Sequence, residues 1–311
     1  MNTILQKERI KEYTDGGLHF IEVSGAGKLN VGATFDCGQA FRFDPVEGTL
    51  HEREFAGVAY GRAVSFANDG DTLYIYNTTE REYCDLWRHY LGLHMDYDAI
   101  KRDIISRSDK PVLQNAVACG GGLRILSQEP WETVCSFIIS QNNNIPRIKK
   151  IVAAMSKRLG ENIDISNMKG HLSEIMTDGC YAFPSAEAVK SAGVDVLSEL
   201  RTGFRAKYIY DAASKVADGT IDLDSIRAYD STKGAAEELM TVKGIGPKVA
   251  ACSLLFGFEK YDAFPIDVWI RRVMEKYFEK GFDPTSLGAY AGIAQQYLFY
   301  YERYFGGDNN G

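Results

Sequence analysis

The chain changes its hydrophobic period once. Before the small-residue stretch "ACGGG" (Ala118 to Gly122) apolar residues alternate in short runs, and after it they recur at helical spacing. Strand-rich and helix-rich segments that follow one another in this way pack as separate layers, so the expected class is α+β. The reading is an N-terminal antiparallel β-sheet domain over residues 1–120, followed by a mainly α-helical body over 121–311. Within the first part, "GRAVSFA" and "TLYIYN" flank "NDGD", a hairpin signal. "KLNVGATFDCGQAFRFDP" is rich in β-branched and aromatic residues and reads as extended, with Gly38 interrupting it as a bulge, a close backbone approach or a plain turn. In the second part "SQEPWETVCSFIISQ" places Pro130 in a helix first turn with Ser127 as its cap. Further helices are expected in "PRIKKIVAAMSKRLG", "SAEAVKSA", "RAKYIYDAASKVADG", "TKGAAEELMTVKG", "PKVAACSLLFGF", "PIDVWIRRVMEKYF" and "LGAYAGIAQQYLFYYERYF". A terminal helix is expected at about 286–305, packing back on the body, with "GGDNNG" fraying.

Composition excludes several classes. No apolar run approaches the roughly 20 residues of a membrane helix, and the N-terminal residues lack a signal-peptide core, so a cytoplasmic protein without a membrane partner is expected. Cys37, Cys84, Cys119, Cys135, Cys180 and Cys252 lie far apart, with no CxxC spacing. That argues against a zinc or iron–sulfur site, and no metal or cofactor is expected. The net charge of −7 points away from polyanions. Two local basic sets point the other way: Arg147, Lys149, Lys150, Lys157 and Arg158 in one run, and Arg201, Arg205 and Lys207 in "LRTGFRAKY".

The sharpest feature is "ELMTVKGIGPKVAACSLLFG", which has the form helix, tight turn, helix, over about 233–257. Gly244 and Gly246 permit positive φ, and Pro247 presets the first turn of the second helix. Free amides at that end, from Gly244, Gly246 and Val249, suit a phosphate without reading sequence. Lys248 falls in the same first turn, at the positive end of the helix, where an ammonium is expected to be disfavoured and the neutral amine made more available. A neutral lysine amine is a nucleophile that can form a Schiff base with a sugar carbon. Asp267, in "FPIDVW", is read as a first-turn residue of a helix starting at Pro265, either a capping aspartate or a group that stabilises positive charge on that sugar.

In order along the chain, "CGQAFRF", "SQEPWETVCSFIISQNNNIPRI", "LRTGFRAKY", "VKGIGPKVAACSLLFG", "FPIDVW" and "AGIAQQYLF" resemble the motifs of helix-hairpin-helix-GPD DNA glycosylases, specifically the 8-oxoguanine DNA glycosylase/AP lyase family. The resemblance implies that Lys248 is the Schiff-base nucleophile and Asp267 the catalytic carboxylate. It implies that Gly38 recognises the lesion through its carbonyl, since N7 carries hydrogen in 8-oxoguanine but is an acceptor in guanine. Cys252 and Phe299 would sandwich the extruded base, and Gln295 would read its Watson–Crick edge. Asn142 would fill the gap left in the duplex with Phe204 as a wedge beside it, and Arg147 and Arg205 would contact the estranged cytosine. Phe204 departs from the tyrosine of eukaryotic members, and Trp269 from a histidine near a backbone phosphate. The implied activity is excision of 8-oxoguanine opposite cytosine followed by β-elimination, by a monomer acting on duplex DNA. The alternatives are a relative that removes another damaged base, and a non-catalytic DNA-binding module.

Overall fold

The computed structural model describes residues 8–15, 18–165, 176 and 179–306. The expected fraying of the C-terminus falls on residues 307–311, outside them. Strands β1 (Arg9–Asp15), β2 (Leu18–Ser24), β3 (Phe43–Pro45), β4 (Arg53–Ala59), β5 (Arg62–Asp69) and β6 (Thr72–Tyr76) pair in the order β1-β2-β6-β5-β4-β3, every neighbour antiparallel. The "NDGD" signal closes the β5–β6 hairpin, where Asp69 pairs with Thr72.

One stretch read as extended is helical. Val31–Phe35 forms α1, because Asn30 accepts a hydrogen bond from the Ala33 amide at 2.8 Å and so caps the turn. The turn buries Phe35 against Phe66 of β5, with ring centroids 5.3 Å apart, and this tertiary contact outweighs the β preference of Val31, Thr34 and Phe35. Helix also begins earlier than expected. The helical stretch Glu80–Tyr90 gives Tyr83, Trp87 and Tyr90 to the core beneath the sheet. Helices α2 (Tyr97–Ser106) and α3 (Pro111–Cys119) place Ile100, Ile104, Leu113 and Ala116 in the core of the helical body.

The body continues with α4 (Pro130–Ser140), α5 (Ile145–Leu159), α6 (Ala186–Glu199), α7 (Ala206–Ala217), α8 (Leu223–Ala228), α9 (Thr232–Leu239), α10 (Pro247–Gly257), α11 (Val268–Tyr277) and α12 (Ala291–Phe305). Pro130 opens α4 as expected, but the residue before it is Glu129, and Ser127 does not cap the helix. Ser127 instead spends its amide on the Tyr90 carbonyl at 2.9 Å.

The sheet domain and the body meet at the loop after α1. Gln39 is buried there and donates from Nε2 to the carbonyls of Thr34 and Arg124, both at 2.8 Å, while Oε1 accepts from the Leu126 amide at 2.8 Å. One side chain therefore ties the loop that carries Gly38 to the backbone at Arg124 and Leu126. On the far side of the same loop, Gln296 of α12 donates to the Cys37 carbonyl at 2.8 Å. Replacing Gln39 by leucine leaves the Arg124 carbonyl and the Leu126 amide unpaired in the interior, at about 1–3 kcal/mol each. Gln39→Leu is expected to lower unfolding free energy by about 3 kcal/mol in urea denaturation; a loss under about 1 kcal/mol would show that the clamp is dispensable.

Candidate active site

The hairpin between α9 and α10 is built around a glycine that nothing else can replace. Gly244 has φ +84°, and a Cβ there would lie 2.3 Å from ring carbons of Tyr208 on α7. Gly246 is different from its expected role. It is extended at φ −102°, and it serves as the N-terminal boundary of α10, with no side chain capping the helix. The first amides of α10 thus keep their partial positive charge facing outward. Pro247 and Lys248 follow as the first two helical residues, as the sequence suggested.

Lys248 is half-buried and faces α4. Its Nζ donates to Ser140 Oγ at 3.2 Å and lies 5.4 Å from the centre of the Phe137 ring. Asp267 is not in a first turn; it is the N-cap of α11, and Oδ1 accepts from the Ile270 amide at 2.8 Å. The helix begins at Val268 and not at Pro265, so the aspartate sits three positions further out than expected. Capping fixes the carboxylate's rotamer and leaves Oδ2 without a hydrogen bond among the described residues. Lys248 and Asp267 thus take their hydrogen bonds from Ser140 and from backbone, and they line one cleft without pairing to each other.

That cleft holds about 850 Å³. It brings together Gly38, Asn142, Gly246, Lys248, Val249, Asp267, Trp269 and Phe299, eight of the fourteen residues singled out in the sequence. The sheet domain contributes Gly38, at φ +75°, and Phe41, whose ring meets Phe137 edge-on at 5.7 Å. Cys252 and Gln295 are each 4% exposed and stay behind the cleft surface. Burial pushes the Cys252 thiol up to about 11, with the Lys248 charge opposing that rise, so the sulfur is a neutral packing surface beside the amine. Gln295 Oε1 is buried with no hydrogen-bond partner, a costly arrangement unless a donor arrives from outside.

The turn between α4 and α5 sorts its three asparagines. Asn143 Nδ2 donates to the Ile139 carbonyl at 3.0 Å, and Asn144 Oδ1 accepts from the Arg147 amide at 3.0 Å as the cap of α5. Asn142 is exposed at φ +47° and makes no side-chain hydrogen bond among the described residues. Its backbone is held from below by Arg205. Expected at the surface, Arg205 is only 3% exposed and donates to the carbonyls of Gln141, Asn142 and Thr202. Burial, with Arg147 nearby, draws its pKa below the usual arginine range. Phe204 is 54% exposed, lies under the Arg205 guanidinium at 4.4 Å and meets Tyr208 edge-on at 5.9 Å. Arg147 is exposed, while Lys149 is committed to Asp44 at 2.8 Å, so the basic run is only partly available to an anion. Trp269, 47% exposed, stands at the rim beside Arg272.

Sequence reasoning missed Ser140, Phe137, Gln39, Gln296 and Tyr208. All five act by supporting a residue that was singled out, and neither their type nor their spacing distinguishes them from ordinary packing. The fold also gathers His89, His94 and Glu259, with ligand atoms within 4.8 Å of one another. The two rings stack 4.2 Å apart at 13°, so they cannot both aim an in-plane lone pair at one ion, and His89 bonds Glu259 at 2.8 Å instead.

Two family models match consecutive parts of the chain. Residues 23–134 match the family model described as 8-oxoguanine DNA glycosylase, N-terminal domain, and residues 135–286 match that of the HhH-GPD superfamily base excision DNA repair protein. The chain is similar to the solved structure of MBOgg1 in complex with a low affinity DNA ligand, at 39% identity and TM-score 0.83, covering 96% of this chain and 99% of that one. It is similar at 34% identity and TM-score 0.82 to the Clostridium acetobutylicum 8-oxoguanine glycosylase/lyase in complex with double-stranded DNA containing cytosine opposite to 8-oxoG, covering 95% and 97%. The N-glycosylase/DNA lyase of Saccharomyces cerevisiae is 35% identical over 168 residues, which is 51% of this chain but only 42% of the yeast protein. The match thus spans less than half the length of that curated relative.

The two hairpin glycines make opposite predictions. Gly244→Ala combines a left-handed backbone with a clash into Tyr208 and is expected to cost about 3 kcal/mol. Gly246→Ala, where an added Cβ meets nothing within 4 Å, is expected to stay within about 0.5 kcal/mol of the parent. Urea denaturation of both variants checks the pair, and equal losses would contradict this account of the turn.

Proposed function

Since the chain belongs to the 8-oxoguanine DNA glycosylase family of the HhH-GPD superfamily, we propose that it excises 8-oxoguanine from duplex DNA and then cleaves the strand through a Schiff base on Lys248. The observation that carries this reading is one cleft that unites Lys248, Asp267, Gly38 and Phe299 at the uncapped N-terminus of α10. An amine, a carboxylate, a backbone carbonyl and an aromatic face are the parts that base excision by an amine nucleophile requires.

The Lys248 lone pair attacks C1′ of the everted nucleotide, the bond from C1′ to N9 breaks, and the purine leaves with that electron pair and takes up a proton. Asp267 stabilises the positive charge that builds on the sugar. Ring opening, with protonation of O4′, gives the iminium. Loss of a proton from C2′ then expels the 3′ phosphate by β-elimination, and water releases the lysine. The Gly38 carbonyl accepts from the N7 hydrogen of the lesion and repels the N7 lone pair of guanine. One such contact and its unsatisfied counterpart together amount to about two orders of magnitude. The remaining discrimination falls to Phe299, Cys252 and Gln295, and the buried, unpartnered Gln295 Oε1 is suited to accept from a base edge.

Extrusion costs a few kcal/mol. Asn142, exposed on a turn that Arg205 braces, fills the vacated space, and Phe204 wedges beside it. Arg147 is the residue free to meet the estranged base, and Arg205 acts by holding Asn142 in place. The amides of Gly246 and Val249 at the N-terminus of α10, together with the Gly244 turn and the Trp269 indole, take the backbone phosphates. The protein works as a monomer on DNA in this scheme, with no metal or cofactor in the reaction. Among the described residues no helix is long and apolar enough to cross a membrane.

Duplexes carrying one 8-oxoguanine opposite each of the four bases test the reading. Cleavage opposite cytosine is expected to be at least tenfold faster than opposite adenine, and borohydride is expected to trap a covalent complex that Lys248→Gln abolishes while retaining DNA binding. Equal cleavage opposite all four bases would contradict the assignment of Arg147. Trapping that survives Lys248→Gln would contradict the mechanism.

A further inference from the structure

The structure assigns to Ser140 the role of orienting the Lys248 amine for attack, a positioning role that rests on the function proposed above. Three observations converge on it. Ser140 Oγ accepts from Lys248 Nζ at 3.2 Å, and the buried Cys252 sulfur is a second hydrogen-bond neighbour of the same amine. The hydroxyl's own hydrogen is already spent on the Phe137 carbonyl at 2.8 Å, so towards lysine the oxygen presents lone pairs and acts only as an acceptor. The face of the Phe137 ring, 5.4 Å from Nζ, is the negative side of its quadrupole and disfavours a nitrogen lone pair pointing at it.

A neutral amine rotating about its last bond presents its lone pair in any of three staggered directions. With one N–H held by Ser140, a second turned to the Cys252 sulfur and the aromatic face closed to the lone pair, the lone pair is left to the open side of the cleft, towards the sugar. Ser140 is placed for this by its position as the last residue of α4, where its back-bond to Phe137 locks the side-chain rotamer. Reaction geometry of this kind governs the rate of attack without governing affinity.

The test uses an abasic duplex, whose C1′ aldehyde accepts the amine with no base to excise. Single-turnover borohydride trapping by Ser140→Ala is expected to be slowed about tenfold, the size of one hydrogen bond, with the concentration of half-saturation within twofold of the parent. Ser140→Thr, which keeps the acceptor, is expected within threefold of the parent rate. Ser140→Cys, nearly isosteric with a weak acceptor, is expected close to alanine and serves if the alanine variant does not fold. Parent-like rates for alanine and cysteine, or losses that appear only in half-saturation, would overturn the assignment of Ser140 while leaving Lys248 as nucleophile. Absence of trapping by the parent chain itself would overturn both.

Discussion

The cleft depends on the close packing of α4 against α10. Phe137 of α4 stacks on Phe256 of α10, with centroids 5.4 Å apart and planes at 17°, and Gly257 sits so near Thr133 that a Cβ there would approach its side chain to 3.0 Å. This contact fixes the axial offset of the two helices. The C-terminal end of α4 therefore faces the N-terminal end of α10, and Ser140 and Phe137 meet Lys248. A shift of either helix by a fraction of a turn would leave the lysine in solvent. The hydration of a first-turn lysine is reduced here by tertiary packing and not by the lysine's own surroundings in sequence.

A second set of contacts brings the Gly38 loop to the same place. The loop that carries Gly38 has no regular pairing of its own, and loops so built need side-chain clamps. Gln39 ties it to the strand of backbone at Arg124–Leu126, and Gln296 ties it to α12, the helix that also carries Phe299. Arg205 does the equivalent for the Asn142 turn by satisfying its carbonyls. The functional residues are thus held from behind by buried amides and a guanidinium, and the residues exposed in the cleft keep their polar groups available. Positive φ at Gly38 and at Asn142 places both departures from ordinary backbone at the cleft.

How much of this the sequence revealed follows from the range of the forces involved. The hairpin was legible because it is local: two glycines, a proline at the first helical position and an apolar run fix it without reference to the rest of the chain. The order of strands was not, since register depends on which apolar faces find each other. The stretch Val31–Phe35 read as extended because its side chains prefer strands, yet Asn30 and the burial of Phe35 made it helical. Asp267 was found, but its capping bond to Ile270 placed it one step outside the helix, which sequence spacing resolves poorly. Arg205 shows the limit most clearly. A basic residue in a basic run reads as exposed, and its burial follows from the carbonyls of a turn more than sixty residues away. Ser140 had no signal, because its significance comes from Lys248 alone.

The measurement that bears most directly on the account is the site of covalent attachment. Borohydride reduction of the protein on an 8-oxoguanine duplex, nuclease trimming and peptide mapping by mass spectrometry would locate the sugar remnant. The account predicts it on Lys248 and on no other amine. Attachment to Lys149 or Lys150 at the edge of α5, or to the terminal amine, would contradict the role given to the α4–α10 contact, whatever the overall activity.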